Sequence, residues 1–205
     1  MIARRGLCLV IAAASGTGKS SLTRALLEAE PGLRLSVSVT TRAPRPRERE
    51  AEHYFFRTQQ EFDAMAEAGE LVEWAGVFGR SYGTPRAPIL EALEAGQDMV
   101  FDIDWQGHRQ LRQALPGDVV SLHLLPPSRA ELEARLHRRQ ADHPEEIARR
   151  MAQADSEMSH APECDHIVVN DEFNHALSEI RAILHAARLA TPRQTGLESF
   201  LAKRL

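Results

Sequence analysis

Residues 13 to 20 read Ala-Ala-Ser-Gly-Thr-Gly-Lys-Ser, the spacing of a phosphate-binding loop, G-x-x-x-x-G-K-[ST], with alanine at the first glycine position. In such a loop successive backbone N–H groups face phosphate oxygens, and the helix that follows presents its positive end to them. Gly16 and Gly18 permit close backbone approach and positive φ. Lys19 is placed to bridge the β- and γ-phosphates, and the Ser20 hydroxyl to coordinate magnesium. The candidate nucleotide-phosphate site is therefore Ala13, Ala14, Ser15, Gly16, Thr17, Gly18, Lys19, Ser20 and Ser21. Ala13 falls at the strand-to-loop junction, where an ordinary β conformation accommodates one extra methyl group. Of 25 basic residues only Lys19 and Lys203 are lysine, so one of the two stands in the loop. A compact ammonium, not a planar guanidinium, suits that place.

Two other stretches carry chemistry. Asp102 ends the apolar run "VFDID" and reads either as a magnesium partner or as a helix-capping acid. "SVSVTTRAPRPRE" sets Arg42 and Arg45 about a proline, with Ser38 upstream and Tyr54 following. That is a stiff loop rich in anion donors, or a solvated basic loop. Cys8 and Cys164 have neither metal-ligand nor disulfide-framework spacing, which points to a reducing compartment. The nine histidines show no metal spacing, and His123, inside an apolar strand, reads as a hydrogen-bonded core residue. Trp74 and Trp105 flank acidic positions and read as packing residues.

These groups need a scaffold. Strands are expected at 7–13, 34–41, 51–58, 70–79 (one or two), 98–105, 118–125 and 164–171, and helices at 19–30, 59–69, 84–96, 106–115, 128–139, 144–161 and 172–190. Ser128 with Glu131 forms a capping box, and Gly96 ends a helix. Strands alternating with helices imply a parallel sheet covered on both faces. A chain of 205 residues, 43% hydrophobic and 26% charged, buries one sizeable core and suits a single domain. The segment after Pro192 carries no strong pattern and is expected to be mobile. The net charge of −4 argues against a nucleic-acid partner, while local basic runs suit a small anion. No run approaches a membrane span. "MIARRGLCLVIAAAS" mimics a secretory leader, but cleavage there removes the strand that the loop needs. A cytoplasmic location is expected.

Taken together, "SGTGKSSL", "SVSVTTRAPRP", "EHYFF", "LVEWAGVFGRSYGT", "DIDWQG", "LPPS" and "IVVND" occur in this order from 15 to 171 and closely resemble the guanylate kinase family. The resemblance spans about residues 7 to 190. It implies a Mg2+-dependent transfer of the ATP γ-phosphate to GMP on an α/β fold: a P-loop NTPase-type parallel sheet core flanked by helices, with a small GMP-binding insertion and an arginine-bearing lid. The implied division is a core at 1–35, 85–128 and 161–190, a GMP region at 36–84, a lid at 129–160 and a tail at 191–205. The GMP phosphate contacts implied are Ser38, Arg42, Arg45, Tyr54 and Tyr82. The guanine contacts implied are Glu73, Thr84 and Asp104. Lid arginines Arg135, Arg139 and Arg150 would join Lys19 and Arg42 in catalysis, Ser20 and Asp102 would hold magnesium, and Asn170 with Asp171 would lie near the donor base.

Guanine chemistry agrees with that assignment, since N1–H and the exocyclic NH2 lie side by side and a carboxylate such as Glu73 accepts both. The chain departs from the family where many relatives have G-R-G and it has Arg138, Arg139 and Gln140, which leaves open whether Arg138 or Arg139 reaches the phosphate. Arg47 and Ala51 likewise stand where glycines are common. Two rival functions are a small-metabolite kinase on the same fold, which would lack the base-reading residues, and a non-catalytic interaction module, which can dispense with a complete loop. Both features are present here.

Overall fold

The computed structural model describes residues 2–77, 79–139 and 144–203. Strand β1 (Cys8–Ala13) is apolar at every position, and its side chains divide by parity between two cores. Leu7, Leu9 and Ile11 join Leu22, Leu26, Ile180 and Leu184, whereas Cys8 and Val10 join Ile89, Leu93, Phe101 and Leu111. Successive strand residues face opposite ways, so an unbroken apolar strand must be covered on both faces.

Helix α1 (Lys19–Ala29) follows the loop; then come β2 (Leu33–Leu35), β3 (Val39–Thr40), β4 (Phe55–Phe56), α2 (Gln59–Glu67), β5 (Leu71–Val77) and β6 (Arg80–Pro85). Helix α3 (Arg86–Glu94), β7 (Asp98–Phe101), α4 (Trp105–Ala114) and β8 (Val119–Leu125) lead to helices α5 (Arg129–Arg139) and α6 (Pro144–Met158). The chain ends in β9 (His166–Val169), α7 (Phe173–Leu189) and α8 (Leu197–Ala202). A five-stranded, all-parallel sheet runs β2-β7-β1-β8-β9, and a four-stranded mixed sheet runs β4-β3-β6-β5. Ligands of open α/β sheets sit beyond the carboxyl ends of strands where the order reverses. Here β1 lies between β7 and β8, with Val10 opposite Phe101, so the loop after β1 and Asp102 after β7 emerge side by side.

Several expected elements shift. The strand expected at 34–41 is two strands in different sheets: Ser36 N–H still bonds Val100 O (2.9 Å), and then the chain crosses to pair Val39 with Phe55 and Gly83. Alternation of apolar residues states which way side chains point, not which neighbour the backbone joins. The strand expected at 98–105 ends at Phe101, and Thr84 with Pro85, expected in a helix, closes β6. Of the box expected at Ser128, the bond from Glu131 N–H to Ser128 Oγ is present (3.1 Å). A reciprocal box that had not been anticipated joins Thr58 and Glu61 at the start of α2.

The segment after Pro192 is not a loose tail. Arg193 is buried, and its guanidinium donates to Gly6 O (3.1 Å) and Gly117 O (3.0 Å), while Gly196 N–H reaches Ala3 O (2.8 Å). Nearby, buried Asp98 accepts both Arg4 Nη atoms (2.7 and 2.8 Å) and Arg188 Nε (2.7 Å). Burial pushes the Glu30 carboxyl up, but hydrogen bonds from Arg188, Arg181 and His185 outweigh it and hold the group at about 2. These ion pairs fasten α7 and the N-terminal segment to the sheet. Among the described residues no helix is long and apolar enough to cross a membrane.

Arg47 (φ 78°) and Ala51 (φ 61°) are the only non-glycine residues with positive φ among those described, and they stand at the two positions where the resemblance implies glycine. A Cβ in the left-handed region costs about 1–2 kcal/mol, part of which glycine returns through its more flexible unfolded chain. Ala51 is exposed, so its methyl group contributes little packing. We therefore expect Ala51→Gly to stabilise the fold by about 1 kcal/mol, raising Tm by about 2–4 °C in a thermal melt. An unchanged or lowered Tm contradicts this account of the loop.

Candidate active site

The loop after β1 has the geometry that its glycines suggest. Gly16 and Gly18 take φ of 90° and 100°, and Ala13 stays within β1. A Cβ on Gly18 would lie 2.5 Å from Asn170 Nδ2, and one on Gly16 3.0 Å from Leu132 and Leu136 of α5. Thr17 is buried beneath the loop and donates its hydroxyl to Ala14 O (2.7 Å); Asn170 Nδ2 donates to Thr17 O (2.7 Å). The loop is thus closed on itself and braced from the residue after β9, and it borders a hollow of about 300 Å³. Ala13 to Gly16 and Gly18 to Ser20 line that hollow, together with Asp102 and Glu157. Ser21 lies on the exposed side of α1, outside the lining. Asp171 is exposed and accepts its neighbour Glu172 N–H (2.7 Å), so neither it nor Asn170 lines the phosphate hollow.

The Lys19 ammonium forms an ion pair with Asp102. Of the two readings open for Asp102, the capping one belongs instead to Asp104, whose Oδ1 accepts Gly107 N–H (2.9 Å) at the start of α4. Asp102 and Ser20 are hard oxygen donors that both line the hollow, and the Asp102 side chain, paired with Lys19, is 44% exposed. The donor set therefore fits magnesium.

A second hollow, of about 290 Å³, shares Asp102 and Glu157 with the first. Ser38, Tyr54, Glu73, Tyr82 and Asp104 line it. Thr84 stands behind Glu73 and donates its hydroxyl to Glu73 Oε1 (2.5 Å). Glu73 is only 5% exposed, and that burial pushes its carboxyl to about 7, against the opposing Thr84 hydrogen bond and with help from the negative charge of Asp104. Tyr54 and Tyr82 meet edge-on at 6.2 Å, and the Arg42 guanidinium lies 5.4 Å from the Tyr54 ring centre.

Other expected residues are placed less directly. Arg42 and Arg45 do not line the second hollow. Glu48 holds both, accepting Arg42 Nη2 (2.9 Å) and Arg45 N–H (2.7 Å), and the Arg45 side chain is exposed. Helices α5 and α6 rest on Ala14 through Leu132, Leu136, Ile147, Met151 and Ala154. Arg135 donates to Glu131 (2.9 Å) and to Asn170 O (3.2 Å), and Arg150 stands on α6; neither lines either hollow. Arg139 ends α5, but its side chain, that of Arg138 and all of Gln140 lie outside the described residues.

His123 is in the core but not hydrogen-bonded: neither ring nitrogen has a partner among the described residues, and burial pushes it down to about 4, so it is neutral at pH 7. Trp105 packs, stacked on His160 with ring centres 3.9 Å apart, whereas Trp74 is 50% exposed.

Three polar residues escaped the sequence reading. Glu48 was legible only as a carboxylate among arginines. Gln153 and Glu157 form an i,i+4 pair (3.2 Å) beside the apolar stripe of α6 that includes Met151, Ala154 and Met158, and that stripe was the available signal. Both line the second hollow, and Glu157 lines the first as well.

Known proteins similar to this chain point to one family. A guanylate kinase family model matches residues 5–187. The chain is 62% identical over 199 residues to the guanylate kinase of Gluconobacter oxydans (strain 621H), covering 97% of this chain and 96% of that protein. It is 54% identical over 200 residues to that of Rhizobium meliloti (strain 1021), covering 98% and 91%. The crystal structure of guanylate kinase from Anaplasma phagocytophilum superimposes with a TM-score of 0.79 at 33% identity, covering 99% of this chain and 97% of that one. With a matching loop, a matching fold and near full-length relatives above 50% identity, this chain belongs to the guanylate kinase family.

Proposed function

We propose that the protein transfers the γ-phosphoryl group of ATP to GMP, giving ADP and GDP. The observation that carries this reading is the pair of adjoining hollows with Asp102 and Glu157 as their common wall, one floored by the Lys19 loop and the other by the buried Glu73 carboxylate. ATP occupies the first hollow with its phosphates on the loop amides and Lys19. GMP occupies the second, its guanine N1–H and NH2 on Glu73, with Thr84 fixing that carboxylate and Asp104 alongside. Ser38, Tyr54 and Tyr82 face the GMP phosphate, Arg42 reaches it once Glu48 releases its guanidinium, and Arg45 reaches it with its exposed side chain.

The acceptor is already an anionic phosphate oxygen, so no strong general base is needed. Catalysis consists of in-line positioning and charge neutralisation. Ser20 Oγ and Asp102 would hold magnesium, which would supply charge neutralisation to the phosphates when bound. Lys19 must leave Asp102 for the phosphates, and the closing lid brings Arg135, Arg139 and Arg150 toward the equatorial oxygens. The core, GMP region and lid then correspond to residues 1–35 with 85–128 and 161–190, to 36–84, and to 129–160.

A coupled ADP-release assay with GMP, AMP, CMP and UMP tests the reading. We expect GMP to exceed each of the others in kcat/KM by several orders of magnitude, because a site with a buried hydrogen-bonding group rejects bases that leave it unpaired. Comparable use of AMP, or no ADP release with GMP, overturns it.

A further inference from the structure

Strand β5 carries Glu73 and lies at the edge of the four-stranded sheet, with β6 on one side and, among the described residues, no strand on the other. Its ladder with β6 is also irregular just before this residue, with a register shift between Leu71 and Glu73. An irregularity of that kind re-aims a side chain and loosens the pairing that holds it. The guanine-reading carboxylate thus stands on an edge strand, at the end of its regular ladder.

Helix α4 supplies what the sheet lacks. The Gln110 side-chain amide lies against the open edge of β5: Trp74 N–H donates to Gln110 Oε1 (3.0 Å), and Gln110 Nε2 donates to Trp74 O (2.9 Å). One amide thereby satisfies both backbone groups of the residue next to Glu73, as a neighbouring strand would. Three residues earlier on the same face of α4 is Gly107, where a Cβ would lie 2.8 Å from Glu73 Oε2, so the helix approaches that carboxylate more closely than a side chain permits. Asp104, which lines the same hollow, caps this helix. One helix therefore sets both carboxylates.

We propose that Gln110 is a positioning residue for guanine recognition, acting through the Trp74 backbone to hold Glu73 against Thr84 and the base. This rests on the GMP reading above. Gln110 itself lines neither hollow, so its effect reaches the substrate only through β5.

Full-length Gln110→Met, which keeps length and removes both hydrogen bonds, tests the proposal beside Gln110→Glu, which keeps the acceptor but sets an oxygen against Trp74 O. We expect Gln110→Met to raise KM for GMP about tenfold, with KM for ATP and kcat within about twofold, and Gln110→Glu to fall between it and the parent. In a Glu73→Gln background, Gln110→Met should add little further loss, because the group it positions is already impaired. Hydrogen exchange at the Trp74 amide should quicken in Gln110→Met whether or not GMP is bound. An unchanged KM for GMP, equal losses for both substrates, or full additivity with Glu73→Gln overturns the proposal, as does unchanged exchange at Trp74. Failure of the GMP reading is seen separately, as a parent protein that does not use GMP.

Discussion

Lys19→Ala should lower kcat by at least roughly 10²- to 10³-fold, the loss that follows removal of one preorganised electrostatic donor from a reaction of this kind. Lys19 is the first residue of α1, directly after Gly18 with its φ of 100°, so its ammonium rises from the helix start into the phosphate hollow. There it pairs with Asp102 and stays in the site before any phosphate arrives. Binding exchanges a carboxylate partner for phosphate oxygens, and the advantage of Lys19 appears when charge spreads over those oxygens in the transition state. KM for GMP should change little, since Lys19 does not line the second hollow. Lys19→Arg should fail to restore turnover, because a planar fork does not substitute for a compact ammonium in a tight loop. Normal turnover by Lys19→Ala in a single-turnover assay would remove the loop from the chemistry.

The other large effect concerns Glu73. Glu73→Ala, with Glu73→Gln as the variant that preserves volume, should lower kcat/KM for GMP by about 10²- to 10³-fold and leave KM for ATP within severalfold. The reason is desolvation. The carboxylate is buried, one oxygen is already bonded to Thr84, and Gly107 lets α4 close over the other. A guanine that finds no acceptor there leaves two donors unpaired, which costs more than a lost surface contact.

The same burial yields a dependence on pH. With its carboxyl at about 7, Glu73 is largely protonated below neutrality and ionised above it. Guanine N1–H and NH2 need the ionised acceptor, so KM for GMP should fall as pH rises from 6 to 8, and Glu73→Gln should flatten that profile. For stability the sign is opposite. A carboxyl whose folded value is raised binds its proton more tightly in the folded protein, so Glu73 by itself makes folding less favourable as pH rises from its ordinary 4.5 toward 7. Equal losses for ATP and GMP in Glu73→Ala would place Glu73 outside the guanine pocket.

Several elements were legible because their signals are local. Eight consecutive residues contain the loop's whole chemistry, and their backbone requirements at Gly16 and Gly18 follow from residue type alone. The unbroken apolar run of β1 declares a strand covered on two faces. Arg47 and Ala51, where the resemblance implies glycine, are the non-glycine residues in the left-handed region among those described. The second hollow was legible mainly through resemblance. Nothing local distinguishes Glu73 from an ordinary strand carboxylate, and its raised affinity for a proton arises from burial near Thr84 and Asp104, which come from other segments.

Sequence alone therefore determined the alternation of strands and helices, the phosphate loop and its lysine, and the family's ordered motifs, all of which depend on short-range backbone geometry and contiguous residue types. Tertiary structure decided that residues 34–41 divide between two sheets, that Asp104 rather than Asp102 caps α4, that Glu48 holds Arg42, and that Gln110 closes the open edge beside Glu73. Each of these depends on which distant backbone or side chain satisfies a polar group once water is excluded, and that partnership has no spacing along the chain from which to read it.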